Sequence, residues 1–167
     1  MTKIPQDLLN LAGEYRVCSE LNKRGIFATV TYGNRKSVDV YAISDRQQRA
    51  LKIEVKTNQT LKGDFVTNIT RKGLAEDPDA PDFWVLVHIR PREDGKFTER
   101  FYVLSHKEIC KAQAVVNLKY TEKYFKNHGR QPDLSKGVDN VTIEDVKQYE
   151  DQWSKIIDGL SSPIHRP

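Results

Sequence analysis

The chain has 167 residues, a length that predicts one domain, with 38% hydrophobic and 30% charged residues and a net charge of +4. That balance excludes a disordered or fibrous chain, and no apolar run approaches the roughly 18 residues that a membrane helix needs. Cys18 and Cys110 are too few and too far apart for a disulfide scaffold, four scattered histidines show no zinc-ligand spacing, and Met1 to Pro5 carries no secretory h-region, so the expectation is a cytoplasmic protein with reduced thiols.

The first predicted element is a helix from Pro5 to Arg24. Leu8, Leu11, Ala12, Tyr15, Cys18 and Leu21 recur at three and four and predict its apolar stripe, with Glu14 just outside the centre. Pro5 suits the first turn and Gly25 the stop. Three strands follow, Ile26 to Tyr32, Ser37 to Ile43 and Ala50 to Thr57, each rich in β-branched or aromatic residues. Gly33-Asn34 marks the first turn, and the polar Ser44 to Arg49 stretch makes a hairpin of the second and third strands.

Asn58 to Asp82 reads mainly as loop, long enough to suggest a functional segment. Phe83 to Ile89 is a continuous apolar run and predicts a central strand, and Arg100 to Leu104 predicts another. Ser105 and Glu108 have capping-box spacing, so a helix should start there and run to about Val116. Asn117 to Asp139 reads as basic and irregular, with Tyr120, Tyr124 and Phe125 expected to pack against a last helix in preference to stacking on bases. That helix starts near Thr142 and carries Val146, Tyr149, Trp153, Ile156 and Ile157 as one stripe, with a frayed tail beyond Gly159. Trp84 and Trp153 are expected in the core. The fold class is α/β: a mixed central sheet flanked by helices, in one domain over residues 1–167, with a core over about 5–116 and a helical extension over about 117–160.

Two of these strands carry charge where an interior strand carries apolar side chains: Asp39 in Val38-Asp39-Val40, and Glu54 and Lys56 in Ile53-Glu54-Val55-Lys56-Thr57. Glu54 and Lys56 share a face because they are two apart. A hairpin folded about Arg46 to Gln48 brings Asp39 opposite them, although a register one residue off would separate the three. Two close carboxylates need a cation, and hard oxygen ligands without clustered His or Cys favour Mg²⁺ or Mn²⁺. The main-chain carbonyl of Val55 can add a ligand, and Lys56 can orient or deprotonate an attacking water.

Together with Gly13-Glu14-Tyr15 on the preceding helix, these residues resemble the PD-(D/E)XK nuclease superfamily, the restriction-endonuclease-like fold, and in particular its small bacterial, Holliday-junction-resolvase-like members. The likeness covers Ala12 to Asn58 well. It departs at Val38, where the family pattern has proline. The resemblance implies that Asp39 and Glu54 bind metal, that Lys56 is catalytic and that Glu14 is an auxiliary acid reaching the metal through water. It implies DNA as substrate and a homodimer able to cut two strands.

Lys23, Arg24, Arg35 and Lys36 form an acid-free basic cluster around the second strand's entry and are expected to hold phosphates. Thr57 is assigned with them to nucleic-acid contact, against its plain reading as a β-branched strand residue. The competing readings are a Glu54–Lys56 surface ion pair without chemistry and a catalytically inactive nucleic-acid- or protein-binding module on the same fold. A structural or toxin-neutralising protein using the Tyr120 to Lys136 region is a third.

Overall fold

A computed structural model describes residues 3–31 and 38–161. Helix α1 (Gln6–Lys23) leads into strand β1 (Phe27–Val30), followed by β2 (Val40–Ser44), β3 (Arg49–Asn58), the short β4 (Phe65–Val66), β5 (Phe83–Pro91) and β6 (Phe97–Ser105). Helix α2 (His106–His128), strand β7 (Asn140–Val141), helix α3 (Ile143–Val146) and helix α4 (Ser154–Ser161) complete the chain. Five strands form one sheet in the order β1-β2-β3-β5-β6, and β4 pairs with β7 in a second, two-stranded sheet. Only β3 and β5 run parallel; the other neighbours in the large sheet are antiparallel. This is the mixed, helix-flanked sheet expected of a restriction-endonuclease-like core. No helix among the described residues is long and apolar enough to cross a membrane.

Alternation along the strands divides the interior in two. Ile53, Val55, Val85, Val87, Phe101 and Val103 face α1 and α4 and pack with Leu9, Val17, Leu21, Trp153, Ile156 and Leu160. Trp84, Leu86, Tyr102 and Leu104 face the other way, against Ile109 of α2, Phe65 of β4, Val141 of β7 and Val146 of α3. The central strand β5 is therefore apolar on both faces, whereas β3 is apolar only towards α1 and α4 and carries Lys52, Glu54 and Lys56 on the other face. Both tryptophans are core residues, as expected.

The hairpin, the capping box and the central strand stand where the sequence puts them. The Ser105 hydroxyl accepts the Glu108 amide at 3.3 Å while Glu108 Oε2 accepts the Ser105 amide at 2.8 Å.

Three expectations need correction. The buried face of α1 is Leu9, Gly13, Val17, Cys18 and Leu21, whereas Leu8, Leu11 and Tyr15 are 56%, 42% and 48% exposed. The predicted stripe is misphased because Gly13, invisible to a hydrophobic pattern, is where α1 comes closest to β3: a Cβ there would overlap the Thr57 hydroxyl. Second, α2 does not stop near Val116 but runs to His128, closed by Gly129 at φ 67°. No Gly or Pro interrupts 117–128, so the helix continues to the Gly129 cap without an apolar stripe. Third, the last helix is broken. Asp151 adopts φ 52° and donates its amide to the Phe101 carbonyl at 2.9 Å, so the chain pauses against β6 between α3 and α4.

Candidate active site

The site is built where β2 and β3 part. The last regular pair is Val40 with Ile53, after which β3 continues to Asn58 without β2 beside it. The Asp39 amide donates to the Ile53 carbonyl at 3.0 Å, although Ile53 already faces Val40, so β2 begins with a bulge-like extra residue. The side chain of Asp39 then takes the place of the departed strand: its Oδ2 accepts the Val55 amide at 2.7 Å. A strand residue's N–H and C=O open on the same edge, so the Val55 carbonyl opens on this gap too.

Glu54 and Lys56 rise from β3 on the α2 side of the sheet. Glu54 is paired in register with the buried Trp84, and Lys56 Nζ lies 6.0 Å from the centre of that indole. Lys56 and Glu54 form an ion pair through Glu54 Oε1. The second oxygen, Oε2, is buried without a hydrogen-bond partner. An ionised oxygen with no donor is costly in a protein interior, so this atom marks a place for a cation or a water.

Glu14 approaches from α1 on the opposite face. Its neighbours in the field are Asp39, Lys56 and Glu54, so the four charged groups share one electrostatic environment. Burial, then the charge of Asp39, pushes the Glu14 carboxyl up to about 7. Burial, then the Glu54 charge, raises Asp39 as well, against the opposing pull of the Val55 amide and Lys56. Cys18, one helical turn beyond Glu14, is raised to about 11 by burial and then by Glu14, so it is an inert thiol.

The structure thus gathers Asp39, Glu54, Lys56 and Glu14 at one fork. Among the described residues, no group of three or more His, Cys, Asp or Glu side chains is arranged to hold a metal ion. The donor set is the sparser kind that Mg²⁺ tolerates, two carboxylates supplemented by water, and the unpartnered Glu54 oxygen fits that chemistry.

The basic residues are placed differently. Lys23 and Arg24 both pair with Glu20, at 2.8 and 2.6 Å, and Arg24 also stacks 4.8 Å from the centre of the Trp153 ring. These two cations serve the end of α1. Arg35 and Lys36 lie outside the described residues. Thr57 faces α1, its hydroxyl buried without a partner beneath Gly13, and it also lines the cavity beside Lys56.

Sequence reading missed the cavity beside Lys56. It is about 390 Å³ and lies between the start of α1 and β4, lined by Gln6, Asn10, Lys56, Asn58, Phe65 and Asn68 among others. Its only sequence signal is the long connection after β3, since β4 is held there by β7, far along the chain.

No family model matches the chain, and no curated protein matches it. Among solved structures it is similar to the archaeal Holliday junction resolvase Hjc of Archaeoglobus fulgidus, at 20% identity and a TM-score of 0.37 over 59% of this chain and 74% of that one. It is also similar to a bacterial homing endonuclease, at 16% identity and a TM-score of 0.49 over 94% of this chain and 96% of that one.

Proposed function

We propose that the chain is a metal-dependent nuclease that hydrolyses DNA phosphodiester bonds at the fork between β2 and β3. The observation that carries this reading is the meeting of Asp39, Glu54 and Lys56 at one strand junction, with a Glu54 oxygen buried and unpartnered. Burying a charged pair costs more than burying an apolar pair of the same size, and the unpartnered Glu54 oxygen adds to that cost, which supports a cation at this place.

Asp39, Glu54 and the carbonyl of Val55 would hold Mg²⁺ or Mn²⁺, which supplies positive charge to the phosphoryl oxygen that gains charge during attack. Lys56 lies beside Glu54 and presents ammonium hydrogens to the attacking water and to the same oxygen. Glu54 in turn fixes the Lys56 rotamer through their ion pair. The Val55 amide does the same for Asp39, so both groups are oriented before substrate arrives. Water adds to phosphorus in line with the departing oxygen and gives up one proton to solvent, the P–O bond to the departing oxygen breaks, and that oxygen takes up one proton from solvent, so one water is consumed for each bond cut. Glu14, whose carboxyl is raised in the metal-free protein by burial and the Asp39 charge, would serve as an auxiliary acid reaching the metal through water.

The test is cleavage of linear duplex, branched and single-stranded DNA with Mg²⁺ or Mn²⁺ by the wild type and by Asp39→Ala and Lys56→Ala. The wild type is expected to cut, and each variant to cut at least about 100-fold more slowly with an unchanged circular dichroism spectrum. Lys56→Ala protein that cuts at the wild-type rate would remove this mechanism. Thermal melts supply a second readout: Mg²⁺ should raise the midpoint of the wild type and leave that of Asp39→Asn unchanged.

A further inference from the structure

The second half of α2 leaves the body of the protein. The buried residues of α2, Ile109 and Gln113, lie in its first half, and the last hydrogen bond from a side chain of α2 to another element is Asn117 Nδ2 to Thr70 Oγ1 at 2.9 Å. From Asn117 to His128 the helix continues for about 16 Å at 1.5 Å per residue. Of the aromatic residues expected to pack there, Tyr120 and Phe125 do not, at 51% and 50% exposed, while Tyr124 is half-buried.

What this half carries is ordered. Lys119, Lys123 and Lys126 recur at four and three, which aligns them in one stripe, and Arg130 follows just beyond the Gly129 cap. None of the four forms a salt bridge within the described residues, in contrast to Lys23 and Arg24. Against them stands one acid, Glu122, so 119–130 holds three of the chain's four net positive charges. Beside the stripe runs an aromatic ladder: the Tyr120 and Tyr124 rings are 5.9 Å apart, and Tyr124 stacks on His128 at 4.2 Å. Tyr120 borders an open cavity of about 260 Å³ shared with Leu134 and Val138.

We propose that this projecting half of α2 is a nucleic-acid-binding arm, in which the lysine stripe tracks a phosphate backbone and the exposed ring of Tyr120, backed by Tyr124, offers a face on which an unpaired base stacks. The choice of DNA rests on the nuclease reading; the arm itself rests on the charge and geometry of α2. A row of unpaired cations at helical spacing complements a polyanion, and base stacking on exposed rings adds affinity without sequence preference. An acidic membrane surface fits less well, because the apolar positions Leu118 and Phe125 are separated by Glu122 and form no continuous inserting face.

The experiment is fluorescence anisotropy with a labelled 20-base-pair duplex and a 20-nucleotide single strand, in EDTA, across about 50–300 mM KCl. The proteins are the wild type, Lys119→Ala/Lys123→Ala/Lys126→Ala and Tyr120→Ala/Tyr124→Ala; alanine preserves the helix. The lysine triple variant should bind the duplex at least tenfold more weakly at low salt, and its log–log salt slope should fall in magnitude by about 2–3, near one for each phosphate no longer neutralised. The tyrosine double variant should lose more affinity for the single strand than for the duplex. An unchanged slope in the lysine variant overturns the arm, as does wild-type protein that binds neither DNA but binds phosphatidylserine vesicles. A lysine-dependent slope without cleavage under Mg²⁺ sinks the nuclease reading and keeps the arm. Cleavage with an unchanged slope does the reverse.

Discussion

Glu14 carries a pH dependence opposite to that of a salt-bridged surface carboxylate. Its carboxyl sits at about 7 in the fold against 4.5 for an unperturbed glutamate, through burial and the Asp39 charge. Folding therefore takes up a proton between those values, and stability falls as pH rises from about 4.5 to 7. Asp39 is shifted in the same direction and adds to the trend. The carboxyl is far from fully buried, so solvent screening keeps the effect modest. Urea unfolding in EDTA at pH 5, 6, 7 and 8 should show the wild type losing stability across this window and Glu14→Gln losing less. An identical slope in both proteins would mean that the proton taken up on folding resides elsewhere.

At the scale of elements, the approach of α1 to β3 sets the site. Gly13 lets the helix backbone lie directly on Thr57, and this contact carries Glu14 to the Asp39 side of the fork. Gly13→Ala forces a Cβ onto the Thr57 hydroxyl and should destabilise the protein by about 1–3 kcal/mol. Gly13→Ala/Thr57→Ala should recover more than half of that loss in urea unfolding, since it removes the overlapping oxygen. A double variant as unstable as the single one would move the conflict to the backbone.

The same contact shows what is legible in the sequence. Asp39, Glu54 and Lys56 stand out because charge interrupts apolar strands and a short hairpin links them. The Ser105–Glu108 cap stands out because its signal is local. The face of α1 does not, because the residue at its closest approach has no side chain to count. The length of α2 is hidden because its distal half runs without an apolar stripe. The pairing of β4 with β7 is hidden because two-residue strands carry no periodicity and their partner lies far along the chain.

At the scale of the whole molecule, the last described segment completes the core. Trp153, Ile156 and Leu160 pack on the sheet face that α1 leaves open, Trp153 against Phe101 at 5.5 Å between ring centres. Lys155 reaches Glu108 at 2.7 and 2.9 Å, so α4 also grips the start of α2. Trp153→Ala should cost about 3–5 kcal/mol, read as a lower urea midpoint at an unchanged m-value. A loss below about 1 kcal/mol would show that α4 is an ornament on a finished core.

The parallel neighbours β3 and β5 are joined by the crossover that contains β4, and β4 waits for β7. Contacts so distant along the chain form slowly, because loop closure must precede them. During synthesis the ribosome delivers Asp39, Glu54 and Lys56 long before Asn140 and Val141 emerge. One wall of the Lys56 cavity therefore depends on a strand that emerges late, and Asp39, Glu54 and Lys56 stand beside an unfinished cleft until translation has passed β7.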